Sequence, residues 1–201
     1  LYNAVSDNRA AYNLPHSFID QFEDNTGITT EIDVDNVSEY FATIYTNTGT
    51  VTHTYTDSFT GGGSGASDVQ TFTGKAIGTA TADRHIAVVL ATGANTGGAV
   101  TSITVGGVSA SEIARGDGGD NMRTHIWIAP VPSGTTADVV ITQGVSSNAG
   151  GVSLFAVYGT TASATDTLTY GGTSTNPVAG TIDVLAGGVI IGGIHANHGT
   201  M

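Results

Sequence analysis

Residues 84–143 read RHIAVVLAT (84–92), GANTGG (93–98), AVTSITV (99–105), GG (106–107), VSASEIAR (108–115), GDGGDN (116–121), MRTHIWIAPVP (122–132), SGT (133–135) and TADVVITQ (136–143). Apolar, β-branched runs of strand length alternate with Gly/Asn/Asp/Ser clusters of turn length. Branched side chains fit a pleated, half-buried surface, and short strands punctuated by turn residues form the pattern of an antiparallel sandwich. The expected fold is therefore all-β, an antiparallel jelly-roll-like β-sandwich. Gly106-Gly107 is expected to turn a tight hairpin, because glycine reaches positive φ without steric cost. Pro130 and Pro132 are expected to end the strand that carries Trp127, since proline cannot donate to a central ladder. No stretch sustains a 3.6-residue period, so helix should be nearly absent.

Outward from this stretch, the same pattern continues in VQTFTGKAI (69–77), GVSLFAVYG (151–159), TDTLTY (165–170), TIDVL (181–185) and GGVIIGGIHA (187–196). The run TGGGSGAS (60–67) reads as a flexible linker or long turn. It suggests a division into an irregular N-terminal arm over 1–57 and a sandwich over 58–201. Within the arm, LPHSFIDQFEDNTGI (14–28) admits a short helix from Pro15, with Phe18 and Phe22 at i,i+4, stopped by Asn25-Thr26-Gly27. TEIDVDNVSEYFATIYT (30–46) reads as two short strands about a turn, and TGTVTHTYTDSF (48–59) as a third. The large apolar residues Phe18, Phe22, Ile28, Phe41 and Tyr45 outnumber their local partners. They are expected to be assembly contacts, against another chain in preference to the chain's own sandwich.

Composition excludes several function classes. The 201 residues hold 17 Asp+Glu against five Lys+Arg, a formal net charge of −12, and no cysteine. Duplex-binding surfaces need clustered cations, and so do anionic membranes, so nucleic acid and membrane insertion are not expected. Disulfides and thiolate metal sites are ruled out. The longest apolar run, VLAGGVIIGGI (184–194), falls short of the roughly 20 residues of a membrane span and reads as a buried strand. A start without Met and an end at Met201, directly after a strand-like run, suggest a piece of a longer polypeptide.

Few residues suggest chemistry. Asp33 and Asp35, with Asn36 and Glu31 nearby, look like the start of a calcium loop. Val37 and Ser38 stand where an EF-hand needs an oxygen ligand and a glycine, which leaves a looser site or a solvated turn. Asp117 and Asp120 in GDGGDN have the same two readings. His195 and His198 lie three apart and face opposite sides of a strand, so they do not make a metal pair without a turn. Arg115-Gly116-Asp117 is an adhesion-type tripeptide that glycine-rich turns produce by chance. There is no G-x-S-x-G elbow, and Glu112 is the only glutamate after residue 57. The expectation is a non-enzyme without cofactor or required metal. Trp127, flanked by Ile126 and Ile128, reads as core and not as a sugar-stacking platform.

Two segments resemble a known family. FIDQFEDNTGITTEIDVDNVSEYFATI (18–44) resembles an aromatic-acidic segment of structural proteins from tailed bacteriophages, marine ones especially. GKAIGTATADRHIAVVLATG (74–93), VTSITVGGVSA (100–110), HIWIAPVPSGTTADVVITQ (125–143), GVSLFAVYG (151–159) and AGGVIIGGIHANHGT (186–200) resemble a β-sandwich module of such virion proteins, many of them tail or fibre proteins. The resemblance implies a structural virion protein, most readily part of a tail fibre or similar appendage used in host attachment. It also implies a homotrimer that contacts other virion proteins. A glycan-binding module for host surface polysaccharide and a head decoration protein are the alternatives.

Overall fold

The computed structural model describes residues 50–61, 69–93, 100–117, 122–144, 148–171 and 178–196, and residues 17–20, 28–32 and 37–45 by their backbone. Among these residues there are fifteen strands and no helix. In chain order they are β1 (Ser17–Asp20), β2 (Ile28–Ile32), β3 (Val37–Tyr45), β4 (Thr52–Thr60), β5 (Val69–Ala76), β6 (His85–Gly93), β7 (Val100–Val105) and β8 (Val108–Ser109). They continue as β9 (Ser111–Asp117), β10 (Met122–Pro130), β11 (Thr136–Gln143), β12 (Asn148–Tyr158), β13 (Ala164–Gly171), β14 (Val178–Ile182) and β15 (Val189–Ala196).

All pairings are antiparallel. A central sheet has the order β4-β12-β6-β10-β9 and a front sheet the order β5-β11-β7-β8. From β4 to β12 the chain alternates between these two sheets, with β9 added at the central sheet's edge. Such alternation packs the two sheets as an antiparallel β-sandwich. A back sheet has the order β1-β15-β3-β13, and β14 pairs with β2 in a separate ribbon.

The parity of β6 shows how the layers stack. Side chains alternate faces along a strand. Ile86, Val88 and Leu90 join Ile103, Val105, Val139 and Ile141 of the front sheet in one core. Ala87 and Val89 point the other way, into a second core with Val189 and Ile191 of the back sheet. Both parities of β6 are fully buried. The central sheet is thus the middle of three layers, which explains why RHIAVVLAT is apolar without alternation. A smaller cluster of Ile182, Val184 and Ile190, with Leu168 against it, lies on the back sheet's far side. Burying each such aliphatic side chain contributes about 1.5–3 kcal/mol.

The turn chemistry is as the residues require. Gly106 and Gly107 hold φ of 58° and 78° between β7 and β8. β10 ends at Pro130. Gly193 lets β15 approach the central sheet closely: a Cβ there would lie 2.6 Å from Thr124 Cγ2 and 2.8 Å from Val89 Cγ1.

Three expectations are corrected. The division at 57/58 falls inside β4, which pairs with β12 from Thr52 to Thr60. Residues 1–57 are also not a separable arm. β1 pairs with β15, β3 lies between β13 and β15, and β2 pairs with β14. The physical reason is the second apolar face of the central sheet, which needs a cover that these strands help to build. The short helix from Pro15 is replaced, over residues 17–20, by strand β1.

Candidate functional site

The sequence candidates do not converge. Asp33, Asp35 and Asp120 lie outside the described residues, and Asp117 closes β9 opposite Arg123. Among the described residues no group of three or more His, Asp or Glu side chains is placed to hold a metal. Arg115-Gly116-Asp117 is extended within β9 and paired with His125, Thr124 and Arg123, so it is not a presented turn. His195 lies in β15 opposite Glu39, and His198 is outside the described residues. Phe22 is also outside them. Phe18 pairs with Gly192, Ile28 with Ile182, Phe41 with both Thr169 and Gly193, and Tyr45 with both Ala164 and Val189. Trp127 is 7% exposed and belongs to the front core, as its apolar neighbours suggest.

The polar side chains with distinctive geometry lie elsewhere. Arg84, directly before β6, is 1% exposed. Its Nε donates to Val131 O at 2.7 Å, one terminal nitrogen to Gly78 O at 2.8 Å and the other to Ser133 O at 2.7 Å. One guanidinium, with its rigid fork of donors, thereby ties the β5–β6 connection to the β10–β11 connection. Its backbone joins the same knot: Arg84 N donates to Thr81 O, and Val131 N donates to Arg84 O. Alongside, Asp83 accepts from Gly159 N at 2.8 Å. Hydrogen bonds from the Thr81 hydroxyl and from the amides of Asp83 and Gly159 hold its carboxyl below the usual range. His85, half-buried, is pulled below the ordinary imidazole value by desolvation, against the opposing pull of Asp83. The sequence signal for this cluster is a charged triplet, Asp83-Arg84-His85, set hard against a wholly apolar run.

A second polar pair lies at the β9 edge of the central sheet. His125 is fully buried, and its Nδ1 lies 2.6 Å from Oε1 of Glu112, whose side chain is partly exposed. A bulge in β9 between the partners of Ile126 and Trp127 sets Glu112 opposite Trp127, on the same face as His125. The only sequence hint was that Glu112 is the one glutamate after residue 57. The most exposed large aromatic among the described side chains is Tyr55, 52% exposed on the edge strand β4. Its ring stands edge-on to buried Phe155, with centroids 5.6 Å apart.

Comparison with family models, with curated proteins and with solved structures found no match to this chain.

Proposed function

We propose that this chain is a structural virion protein of a tailed phage, part of a tail fibre or similar appendage used in host attachment, and not an enzyme. The sequence support is the likeness of residues 18–44 and of the segments between 74 and 200 to such proteins. The structural observation that carries the reading is what the strongest polar groups do. Arg84, Asp83, Asp57 and Asp138 all bind backbone groups of neighbouring strands or turns, and Glu112 binds a fully buried histidine. Their chemistry is used to brace a stack of sheets. In this reading the partners are other virion proteins and further copies of the chain in a homotrimer, and the location is the extracellular particle.

The test is immunogold labelling of purified particles with antibody raised against the chain, together with light scattering of the isolated protein. Label on the tail or its appendages and a mass of three chains are the expected results. Label on the head would replace this reading with a decoration protein, and particles free of the antigen would overturn it. Tyr55 favours a second reading, a glycan-binding module, because an exposed, edge-braced ring offers a sugar a fixed apolar face. Under that reading Tyr55→Ala abolishes retention on immobilised host polysaccharide while Tyr55→Trp preserves it. Equal retention of both variants discards it.

A further inference from the structure

The space between the central and front sheets changes character along the strands. Toward the Pro130 end, the inward positions are Val88, Trp127 and Ala129 on one sheet, and Val105 and Val139 on the other. Toward the other end they become Thr92 and His125 on the central sheet and Gln70 and Gln143 on the front sheet, all buried. Gln70 Nε2 donates to Gln143 Oε1 at 3.3 Å. Three nitrogens that line this interior are buried without a hydrogen-bond partner among the described residues: His125 Nε2, Trp127 Nε1 and Gln143 Nε2. Buried polar atoms in native proteins are nearly always satisfied, by protein or by ordered water.

The His125 ring cannot turn over to remove the problem. Turning the His125 ring over would exchange Nδ1 for a carbon and lose the 2.6 Å bond to Glu112. Keeping that bond to an acceptor-only carboxylate puts the proton on Nδ1 of the neutral ring. Nε2 is then a bare acceptor. Trp127 Nε1–H can only donate, and so can the Gln143 amide nitrogen. His125 and Trp127 lie two residues apart on one face of β10, where side chains project roughly 7 Å apart. Two hydrogen bonds of about 2.9 Å let one water join atoms at most roughly 6 Å apart, so an acceptor and a donor at that spacing match a short chain of molecules that both donate and accept.

We propose that this interior is a binding site for a short chain of ordered water, which donates to His125 Nε2 at one end and accepts from Trp127 Nε1–H at the other. Internal waters in globular proteins typically make about three such bonds. The site extends the Glu112–His125 pair into a chain that runs from a partly exposed carboxylate to the sandwich core. It stands independently of the virion reading.

Trp127 is the single tryptophan, so its indole N–H gives one resonance. A water-selected ¹⁵N-correlated ROE spectrum of the wild-type chain should show a cross-peak between that proton and water. In His125→Phe, which removes the acceptor and adds apolar bulk, the cross-peak should disappear while the β-sheet circular dichroism stays unchanged. A wild-type spectrum without the cross-peak overturns the proposal, and does so whether or not the variant folds. A cross-peak that persists at full intensity in folded His125→Phe also overturns it, because the water would then not depend on the histidine.

Discussion

The central and front sheets share one apolar interface, yet their strands are patterned differently. In β6 of the central sheet, five consecutive residues, Ile86 to Leu90, are all fully buried. In β11 of the front sheet, burial alternates: Val139 and Ile141 are inside, while Val140 and Thr142 are half-exposed. A strand with one covered face needs apolar residues at every second position, and a strand with two covered faces needs them at every position. Unbroken apolar character in a strand therefore counts the layers around it. Here it reports a third layer, which a two-sheet sandwich alone does not require.

The comparison breaks most severely if the third layer is removed. Deleting residues 1–49 takes away β1, β2 and β3, and with them both in-sheet neighbours of β15. The odd-numbered face of β6 then loses its cover. The expected outcome is an insoluble or molten chain, read by loss of cooperative melting. A soluble, cooperatively folded product would show that the back sheet is dispensable.

Next in size is the point where the central strand begins. Arg84→Met removes three hydrogen bonds from a buried cation, each worth about 1.5–3 kcal/mol, and leaves three carbonyls without that partner. A loss of more than about 3 kcal/mol in urea-unfolding stability is expected. Gly193→Ala tests the contact between back and central sheets. The added methyl meets Thr124 and Val89 at distances no unstrained Cβ adopts, and overpacking of this kind costs about 1–3 kcal/mol. An unchanged denaturation midpoint would mean that the layers are free to separate.

How much of this was legible follows from which signals are local. Strand positions, the Gly106-Gly107 hairpin, the stop at Pro130 and the burial of Trp127 each rest on a few adjacent residues. Layering was written in RHIAVVLAT as well. The Gly/Ser run at 60–67 masked it by suggesting a division that β4 crosses. Arg84 and the Glu112–His125 pair were not legible, because their partners are up to 49 residues away and are brought close only by strand register.

Acidification gives a smaller effect with a definite sign. His85 titrates lower in the folded protein than in the unfolded chain, chiefly through desolvation. The unfolded chain therefore takes up the proton first. The contribution of His85 to stability is complete above about pH 6.5 and is lost as the pH falls below it. Asp83 is also lowered, by hydrogen bonds to its carboxylate. Its contribution is present above roughly pH 4 and is lost as the pH falls further. Melting temperature against pH should show two successive declines, the upper flattened in His85→Gln and the lower in Asp83→Asn. Interchange of those two assignments would refute the ordering.

The smallest effect is the one that sharpens the comparison most. Val→Thr keeps the branched shape of the side chain and swaps a methyl for a hydroxyl, so it isolates burial from packing volume. At Val88 the hydroxyl would enter the front core beside Leu154 and Trp127, and at Val89 the second core, between Ile126 and the fully buried Ser153. Val88→Thr should cost about 1–3 kcal/mol, the penalty for a buried hydroxyl without a partner, and Val89→Thr the same once Ser153→Ala removes the hydroxyl opposite it. At Val140 the same hydroxyl would point to the outer face of the front sheet, in register with Thr71 and Thr104. There it meets solvent and two neighbouring threonines, and the change should stay within about ±0.5 kcal/mol. Two strands of one sandwich would thus answer an identical substitution differently: β6 at both parities, β11 at Val140 not at all. If Val89→Thr in the Ser153→Ala background proves as mild as Val140→Thr, the odd-numbered face of β6 is wet and the third layer does not close over it. If Val140→Thr is as costly as Val88→Thr, the outer face of the front sheet is itself covered in solution.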